Sequence, residues 1–454
     1  MFKISGLFLK RVFFVIVCII TVSLHTYAQN NKSTDSVPSL NIDQCIAYGL
    51  QHHPNILQSG IAISIAKKTN QINLSGWIPQ LNASGIIYHY FTLPTSFTEN
   101  QANPGGPLIP VKAGLHNTAT PQLTASETLF NPILLYDAKS AHLLVQQAQQ
   151  ASDSTKINII ASVSSAFYNL LLTLEQISVL TEDTARNSKN LRDTYHQYVG
   201  GIVDKTDYKE AYITLNNSKA QLKQQMLNVR PQYAILKQQI GYPPENNFNV
   251  SFDTVQMVKQ IAMDTAQQLQ YGKRIEYQML ETAKSLQEQN VNYYRYSFLP
   301  SASVLYSYDY EFENGNSADL FSQAYPYSYL GGSISIPLFT GFARIENLQR
   351  SKMQEEIIDL SVVNLKSVIY SQYSTALANY KSNLYDFYIM RDNVAMAKDV
   401  YDVVSLQYKQ GIVPYLNVIT AESDLISSEI SYTNALFQVL LTKVDLDKAM
   451  GNIH

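Results

Sequence analysis

The sequence contains little cysteine and no strong excess of either charge. Only Cys18 and Cys45 occur among 454 residues. Cleavage of an N-terminal signal would leave Cys45 alone, which excludes an internal disulfide. A lone thiol without paired ligands is usually a small core residue. The 33 basic residues nearly balance the 36 acidic ones, for a formal charge of −3, so nucleic acid is not an expected partner.

Long hydrophobic runs are scarce as well. One extends from Val12 to Leu24, follows three basic residues, and precedes a small-x-small site at 26–28. We therefore predict a signal peptide over residues 1–28 that is cleaved on export; the alternative is an uncleaved anchor helix, for which the run is short. Cys18 lacks the small residues that precede a lipoprotein cysteine, so lipidation is not expected. No further apolar run near 18 residues is expected, which argues against a multi-helix inner-membrane protein.

The usual arrangements of catalytic and metal-binding residues are missing too. No Ser/His/Asp order, phosphate-binding loop or Cys/His cluster occurs in the sequence, so we expect neither enzymatic activity nor a cofactor. His52 and His53 form the one adjacent histidine pair. No further ligand is spaced to complete a metal site around them, and we interpret them as a surface helix end.

The sequence does contain a tandem repeat. A Tyr-x-x-Gly helix tip at 198–201 recurs 210 residues later at 408–411. The helix ends at Gly241 and Gly451 are separated by the same 210 residues, whereas the strand starts are 221 residues apart. The first repeat therefore carries the longer loop between strands. An ordered series of such matches indicates an internal duplication.

These landmarks predict the organisation of the chain. The signal peptide at 1–28 precedes a first repeat at 29–241, a linker at 242–262 and a second repeat at 263–454. We expect strands at about 79–130 and about 300–340, and helix tips at about 198–207 and about 408–417.

Long helices are predicted after the strands of each repeat. Apolar residues are spaced three and four apart from Ile160 to Ile177, and the positions 210 residues later, from Tyr370 to Phe387, are also apolar or aromatic. Such heptad spacing is typical of coiled-coil contacts. A helix over 133–197 would span roughly 100 Å, more than a globular core requires. A soluble coiled-coil stalk would account for these helices but not for the strands.

The predicted strands alternate between apolar and polar residues. In the third, the even positions from Ala302 to Phe312 are apolar or aromatic and the odd positions are mostly polar. One face suits lipid and the other suits water, as in a membrane β-barrel; the alternative is a soluble sheet that covers a core. Nine of the 32 tyrosines lie at 293–329, as in an aromatic girdle. We also predict a β-bulge at Gly331–Gly332, where the apolar residues of the fourth strand change from one alternate set of positions to the other.

Four strands per chain determine the expected assembly. Four strands cannot close a barrel, and a bilayer does not tolerate their unpaired edges. Several chains must therefore share one barrel. The expected fold class is mainly α with a membrane β-barrel portion.

The ordered set of these features resembles the TolC-type outer-membrane efflux proteins. The segment 40–54 is similar to the family's opening pattern, and the strand starts at Pro79 and Pro300, the two Leu-Phe strand ends and the tip at 408–422 also match. The resemblance covers nearly all of the chain after the signal. It implies a homotrimer in which two tandem repeats per chain form a long α-helical barrel. Four strands from each of three chains would form a shared twelve-stranded β-barrel in the outer membrane.

The resemblance also implies a function and partners. The chain would be the outer-membrane channel of a tripartite efflux or type I secretion system, a passive gated conduit from the periplasm to the outside. It would dock a periplasmic adaptor (membrane fusion) protein, itself joined to an inner-membrane pump of RND or ABC type that selects the cargo. Residues 242–262 would form part of an equatorial belt. The alternative is an exported coiled-coil periplasmic adaptor or structural stalk protein, although adaptors usually carry an all-β lipoyl-like module.

The positions that match the family's gate give the expected site residues. The family closes its helix tips through polar links, and Asp207 falls on the acidic position while Tyr408 falls on the tyrosine that it hydrogen-bonds. The two constriction aspartates of the best-known members correspond to Asn417 and Thr420. A latching arginine corresponds to Val413. The expected adaptor-docking tips contain Gly200, Gly201 and Gly411.

Three further acids follow the second tip. Glu422, Asp424 and Glu429 could set the charge of a lumen. Ordinary solvated positions on the helix surface are the simpler interpretation, and we adopt it as the expectation.

Overall fold

The computed structural model describes residues 38–99, 105–264 and 267–453. The predicted signal peptide, 1–28, lies outside the described residues. The chain divides into two compact units. In the smaller unit, β1 (Ser39–Leu40) pairs in parallel with β6 (Asn249–Val250). The larger unit holds the other described residues and all of the candidate site.

The larger unit is mainly helical, with a similar set of helices in each half of the chain. A helix of 68 residues and its return helix of 36 residues lie in the first half, and helices of 67 and 36 residues lie in the second. The helices are α1 (Ile42–His52), α2 (Pro54–Leu74), α3 (Pro132–Val199), α4 (Lys205–Ile240), α5 (Thr254–Gln260), α6 (Ile275–Tyr296), α7 (Ala343–Lys409) and α8 (Tyr415–Met450).

Local sequence signals begin and end these helices. Asn41 and Gln44 form a capping box at the start of α1, and the Asn131 side chain caps α3 just before Pro132. Asparagine at the N-cap and proline at the first helical position are both favoured there. Gly241 ends α4 and Gly451 ends α8.

The return helices meet shorter helices end to end. A Cβ at Gly241 would lie 2.9 Å from the His53 Cα, at the junction of α1 and α2, and a Cβ at Gly451 would lie 2.8 Å from the Lys273 carbonyl oxygen, just before α6. Only glycine permits so close an approach of two backbones. Consequently α3 packs against both α4 and α2, and α7 packs against both α8 and α6.

The predicted heptad positions supply part of the core. Val163, Phe167 and Leu170 of α3 are buried, and so are Tyr380 and Phe387 of α7. Tyr370, the first position of the second series, is 59% exposed, so that series becomes buried only further along α7.

We expected no further apolar stretch near 18 residues, but α3 contains one. An 18-residue window within α3 has a mean hydropathy of 1.5, and 56% of the window is buried within the chain. A core helix has this combination of composition and burial. The apolar residues around this window recur at helical spacing, which is the pattern of a helix that packs against its neighbours.

The strands of the larger unit form one four-stranded antiparallel sheet and one small hairpin. In the sheet, β2 (Gln80–His89), β5 (Asn117–Phe130), β7 (Ser301–Asn314) and β8 (Ala324–Ser335) lie in the order β2-β5-β7-β8. A separate hairpin of β3 (Thr95–Thr98) and β4 (Ile109–Lys112) lies in the segment between β2 and β5. The strands β2 and β8 are therefore the two edges of the described sheet.

The register separates an apolar sheet face from a polar sheet face. Because directly opposed residues share a face, the pairing of Leu81 with Ala125, of Tyr308 with Leu123 and of Tyr306 with Leu330 defines the apolar sheet face. The polar sheet face carries Gln122, Ser307 and Asp309, which are linked by hydrogen bonds from Gln122 Nε2 to Ser307 and from Ser307 to Asp309. Large side chains of the apolar sheet face are exposed, Leu330 by 74%.

The predicted bulge at Gly331–Gly332 is wrong. β7 pairs with β8 without interruption, from Ser301 opposite Ser335 to Phe312 opposite Ala324. The irregularity of the sheet lies instead between Thr128 and Phe130 of β5. The apparent change of phase arises because three tyrosines of β8 lie on the polar sheet face, opposite Ser307, Asp309 and Glu311: Tyr329, Tyr327 and Tyr325.

The segment from 252 to 262 is attached to three long helices. Thr254 donates a hydrogen bond to Glu175 of α3 at 3.1 Å, and Tyr380 of α7 donates one to the Ile261 carbonyl at 2.7 Å. Lys443 of α8 donates to the Gln260 carbonyl. This part of the predicted linker therefore lies against the middle of α3 and α7 and near the end of α8.

Candidate functional site

The two helix tips adopt the same turn. Gly201 follows α3 with φ of 74° and Gly411 follows α7 with φ of 77°. After each, an isoleucine N–H closes the turn by donating to a glutamine carbonyl five residues earlier: Ile202 to Gln197 and Ile412 to Gln407, each at 2.9 Å. Positive φ favours glycine at both positions. Gly200 has an ordinary right-handed φ of −76°.

Exposed apolar side chains surround these glycines. The tip patch consists of Val199, Ile202, Ile412 and Leu416, and each is more than half exposed. Because large apolar residues clustered at an exposed end commonly mark a contact surface, the tip patch is a candidate docking surface.

A small hydrophobic core joins α3, α4, α7 and α8 close to the tips. Ala211 of α4 and Tyr415 and Val418 of α8 are buried at its centre. Side chains from α3 and α7 also pack on it: Leu191, Tyr401, Val404 and Tyr408, together with Ile419 of α8. The first helical hairpin, α3 and α4, and the second, α7 and α8, are therefore coupled at the tips.

The charge of Asp207 acts on Tyr408, but the hydrogen-bond acceptor of Tyr408 among the described residues is not Asp207. The Tyr408 hydroxyl donates to Gln197 Oε1 at 2.7 Å. Burial raises the pKa of Tyr408, and the nearby charge of Asp207 raises it further. Asp207 lies in the first turn of α4, where burial, followed by the charge of Asp204, raises its own pKa. Gln197, which no motif in the sequence marks, is the hydrogen-bond acceptor of Tyr408.

Asn417 and Thr420 lie on an exposed face of α8. Thr420 donates to the Leu416 carbonyl of its own helix at 3.0 Å, and Val413 is half-buried in the tip. Asp424, four residues beyond Thr420, is exposed as well and falls on the same face by helical spacing. Asp424 therefore supplies an acidic side chain to the exposed face that carries Asn417 and Thr420.

Glu422 is not solvated as expected. It is 1% exposed, and its carboxylate accepts a hydrogen bond from Asn190 at 3.1 Å and lies 3.8 Å from Arg186 Nε. Arg186 also contacts Glu429 at 3.2 Å. Together with the buried Asp183, these residues form the tip ion cluster: Asp183, Arg186, Asn190, Glu422 and Glu429.

Helical spacing explains why Glu422 is buried. It falls four residues after Val418 and three before Leu425, both of which are buried, so it occupies the packed seam of α8. A heptad count from Tyr415 could have shown this burial from the sequence.

Burial is the main cause of the raised pKa values in the tip ion cluster. Burial raises the pKa of Glu422 to about 7; the charge of Asp183 also raises it, whereas Arg186 and Asn190 oppose the rise. Burial also raises the pKa of Asp183. Glu422 Oε1 and Arg186 Nε are buried without a hydrogen-bond partner among the described residues.

The remaining candidates have structural roles. The His53 side chain accepts a hydrogen bond from the Asn55 N–H and caps α2, and His52 stacks on Tyr48 with ring centroids 4.1 Å apart. Cys45 is fully buried, and burial raises the pKa of its thiol to about 12. No group of three or more His, Cys, Asp or Glu side chains in the described part of the chain could hold a metal ion.

Comparison with known proteins supports the interpretation of the sequence. No family model matches the chain. The chain is 23% identical over 316 residues to a probable efflux pump outer membrane protein, TtgC of Pseudomonas putida. The match covers 67% of this chain, which spans only 62% of the length of that relative. The relative's name agrees with the outer-membrane location expected from the sequence.

Solved structures match over almost the whole chain. The channel CusC superposes with a TM-score of 0.72 at 15% identity, covering 94% of this chain and 95% of CusC. VceC of Vibrio cholerae has a TM-score of 0.69 at 15% identity, covering 90% and 96%. The resemblance predicted from the sequence is therefore confirmed: this chain has the fold of the TolC-type outer-membrane channels and is similar in sequence to outer-membrane efflux proteins.

Proposed function

We propose that the chain is the outer-membrane channel of a tripartite efflux or type I secretion system, a passive gated conduit from the periplasm to the outside. One observation carries the proposal. A four-stranded sheet with an exposed apolar face and two free edges is joined to helices of 67 and 68 residues.

The sheet argues for assembly in a membrane. In lipid, the free edges of β2 and β8 would leave backbone groups without hydrogen bonds, at a cost of several kcal/mol per group. Pairing β8 of one chain with β2 of the next removes these edges. Three chains would then close a barrel of twelve strands, with the apolar sheet face towards lipid and the polar sheet face towards water.

The helices argue for the same assembly. Exposed apolar side chains follow one another along α2, at Leu57, Ile61 and Ile65, and along α7, at Ile357 and Leu360. Covering a side chain of this size stabilises an assembly by about 1.5–3 kcal/mol. Two tandem repeats, 29–241 and 263–454, would supply equal walls of an α-helical barrel, and the 242–262 linker would contribute to a belt around it.

The helix tips would form the gate. Asp207, Tyr408 and Gln197 provide polar links at the end of the helices, and Asn417, Thr420 and Asp424 would line the constriction. With amide and hydroxyl groups at the first two positions, the main fixed charge of the constriction would be Asp424. In this chain that carboxylate would attract cations from a position farther from the tip.

The tip patch would dock a periplasmic adaptor protein that is joined to an inner-membrane pump of RND or ABC type. Gly201 and Gly411 hold the turns that present the patch. TtgC, a relative of this chain, is named as part of an efflux pump, which supports a shared function. The exposed apolar sheet face disfavours the alternative of a periplasmic adaptor or soluble stalk.

Fractionation followed by reconstitution tests this function. We expect the protein in the outer-membrane fraction as a detergent-stable trimer, with low conductance in planar bilayers while its tips are closed. Recovery as a soluble periplasmic monomer would refute the proposal.

A further inference from the structure

The tip ion cluster connects the two helical hairpins. Arg186 and Asn190 belong to α3 of the first hairpin, and their partners Glu422 and Glu429 belong to α8 of the second. Asp183 connects α3 to α4, because Asn187 donates hydrogen bonds both to Asp183 at 3.0 Å and to Ser218 of α4 at 2.9 Å. The cluster therefore lies at the point where the hairpins would have to separate.

The cluster holds more negative than positive charge. Three carboxyl groups surround one guanidinium group, and Asp183 and Glu422 are both 1% exposed. Arg186 makes its closer contact with Glu429, at 3.2 Å, and lies beyond hydrogen-bond distance of Glu422, at 3.8 Å. Glu422 is therefore only partly neutralised when ionised, and a buried charge without full compensation is costly.

Groups from all four helices face this site. The titratable, charged or polar ones are Asp183, Arg186 and Asn190 from α3, Ser218 from α4, Tyr401 from α7, and Tyr415 and Glu429 from α8.

We propose that the tip ion cluster is a proton-operated clamp between the two hairpins, in which a proton on Glu422 keeps the tips together and its loss favours their separation. The clamp rests on the proposed gate function, since it supplies a control for that gate. Proton uptake leaves the hydrogen bond from Asn190 in place and removes the uncompensated charge.

The sign of the pH dependence follows from the two environments of Glu422. In the structure, where the helices are packed together and which we take as the closed form, the pKa of Glu422 is about 7, whereas a solvated glutamate has an ordinary pKa of 4.5. The closed form therefore binds the proton more tightly. The extra stability of the closed form is complete below pH 4.5, the pKa of a solvated glutamate, and is lost as the pH rises through about 7. The ratio of closed to open tips falls by up to about ten-fold per pH unit between these values.

Distance measurements between spin labels test the clamp directly. Labels at Val199→Cys and Ile412→Cys would report the separation of the two tips within one chain, in trimers diluted with unlabelled subunits. The buried Cys45 would remain unlabelled. We expect the population of short distances to fall between pH 5 and pH 8.5, and Glu422→Gln to keep that population high at every pH.

A matched control separates the clamp from general charge effects. Glu182→Gln makes the same isosteric change at an exposed position of α3, and this variant should retain the pH response. A wild-type distance distribution that does not change with pH would overturn the clamp, as would an equal response in Glu422→Gln. Because the distances are measured within each chain, they are read whether or not the protein conducts, so failure of the channel function is detected separately.

Discussion

Replacing Tyr408 by phenylalanine should make the closed channel leak. The change removes one hydroxyl and with it the 2.7 Å hydrogen bond to Gln197. Such a bond contributes about 1 kcal/mol of net stability. In the proposed trimer, three equal losses would total about 3 kcal/mol, which would lower the ratio of closed to open tips by roughly 100-fold.

Tyr415→Phe is the matched control for this experiment. It removes the same hydroxyl group from a buried tyrosine whose ring centroid lies 5.2 Å from that of Tyr408. The Tyr415 oxygen makes no hydrogen bond within 3.5 Å among the described residues, although Thr194 lies close enough to lower its pKa, so its removal should change the leak much less than removal of the Tyr408 hydroxyl. The assay is the conductance of each variant in planar bilayers at fixed pH and salt. Equal leak from both variants, or no increase in Tyr408→Phe, would refute the role of the Tyr408–Gln197 bond.

Three further predictions concern other parts of the chain. Leu330→Arg on the apolar sheet face should impair membrane insertion by about 2–4 kcal/mol, whereas Tyr327→Arg on the polar sheet face should insert normally; urea titration of refolding into lipid vesicles measures both. Changing Arg274 to methionine should lower the stability to urea by about 1–3 kcal/mol, because the buried guanidinium donates to the Ala449 carbonyl at 2.9 Å; an unchanged stability would contradict this. Cys45 should react with a maleimide only after denaturation, because it is fully buried; rapid labelling of the folded protein would contradict its placement.

Much of the architecture follows from local sequence signals. The tip turns were predictable because Gly201 and Gly411 need positive φ, and the sheet faces were predictable from the alternation in β7. Both features depend on residues close together in the chain.

Other features depend on pairing between distant segments. The positions of the β8 tyrosines follow from the register of β8 on β7, for example Tyr327 opposite Asp309. A change of apolar phase within one strand cannot distinguish a bulge from a continuous strand with aromatic residues on both faces.

The candidate site also combines residues that the sequence identified with residues whose roles depend on packing between distant segments. Tyr408 and Asp207 were identified through the resemblance to known channels, but Gln197 was not, because its role depends on how α3 packs against α7. Glu422 was expected to be solvated because it is charged. Its helical position buries it, and Arg186, which lies 236 positions earlier in the sequence, supplies the compensating charge.

A cross-linking measurement between the sheet edges tests the central claim most directly. Ile86→Cys in β2 would be combined, one at a time, with a cysteine at each position from 324 to 335 in β8. Within one chain these edges are three strand spacings apart, roughly 14 Å, beyond the reach of a disulfide. A shared barrel predicts that some pairs oxidise into covalent oligomers of up to three chains, whereas monomers from every pair would contradict it.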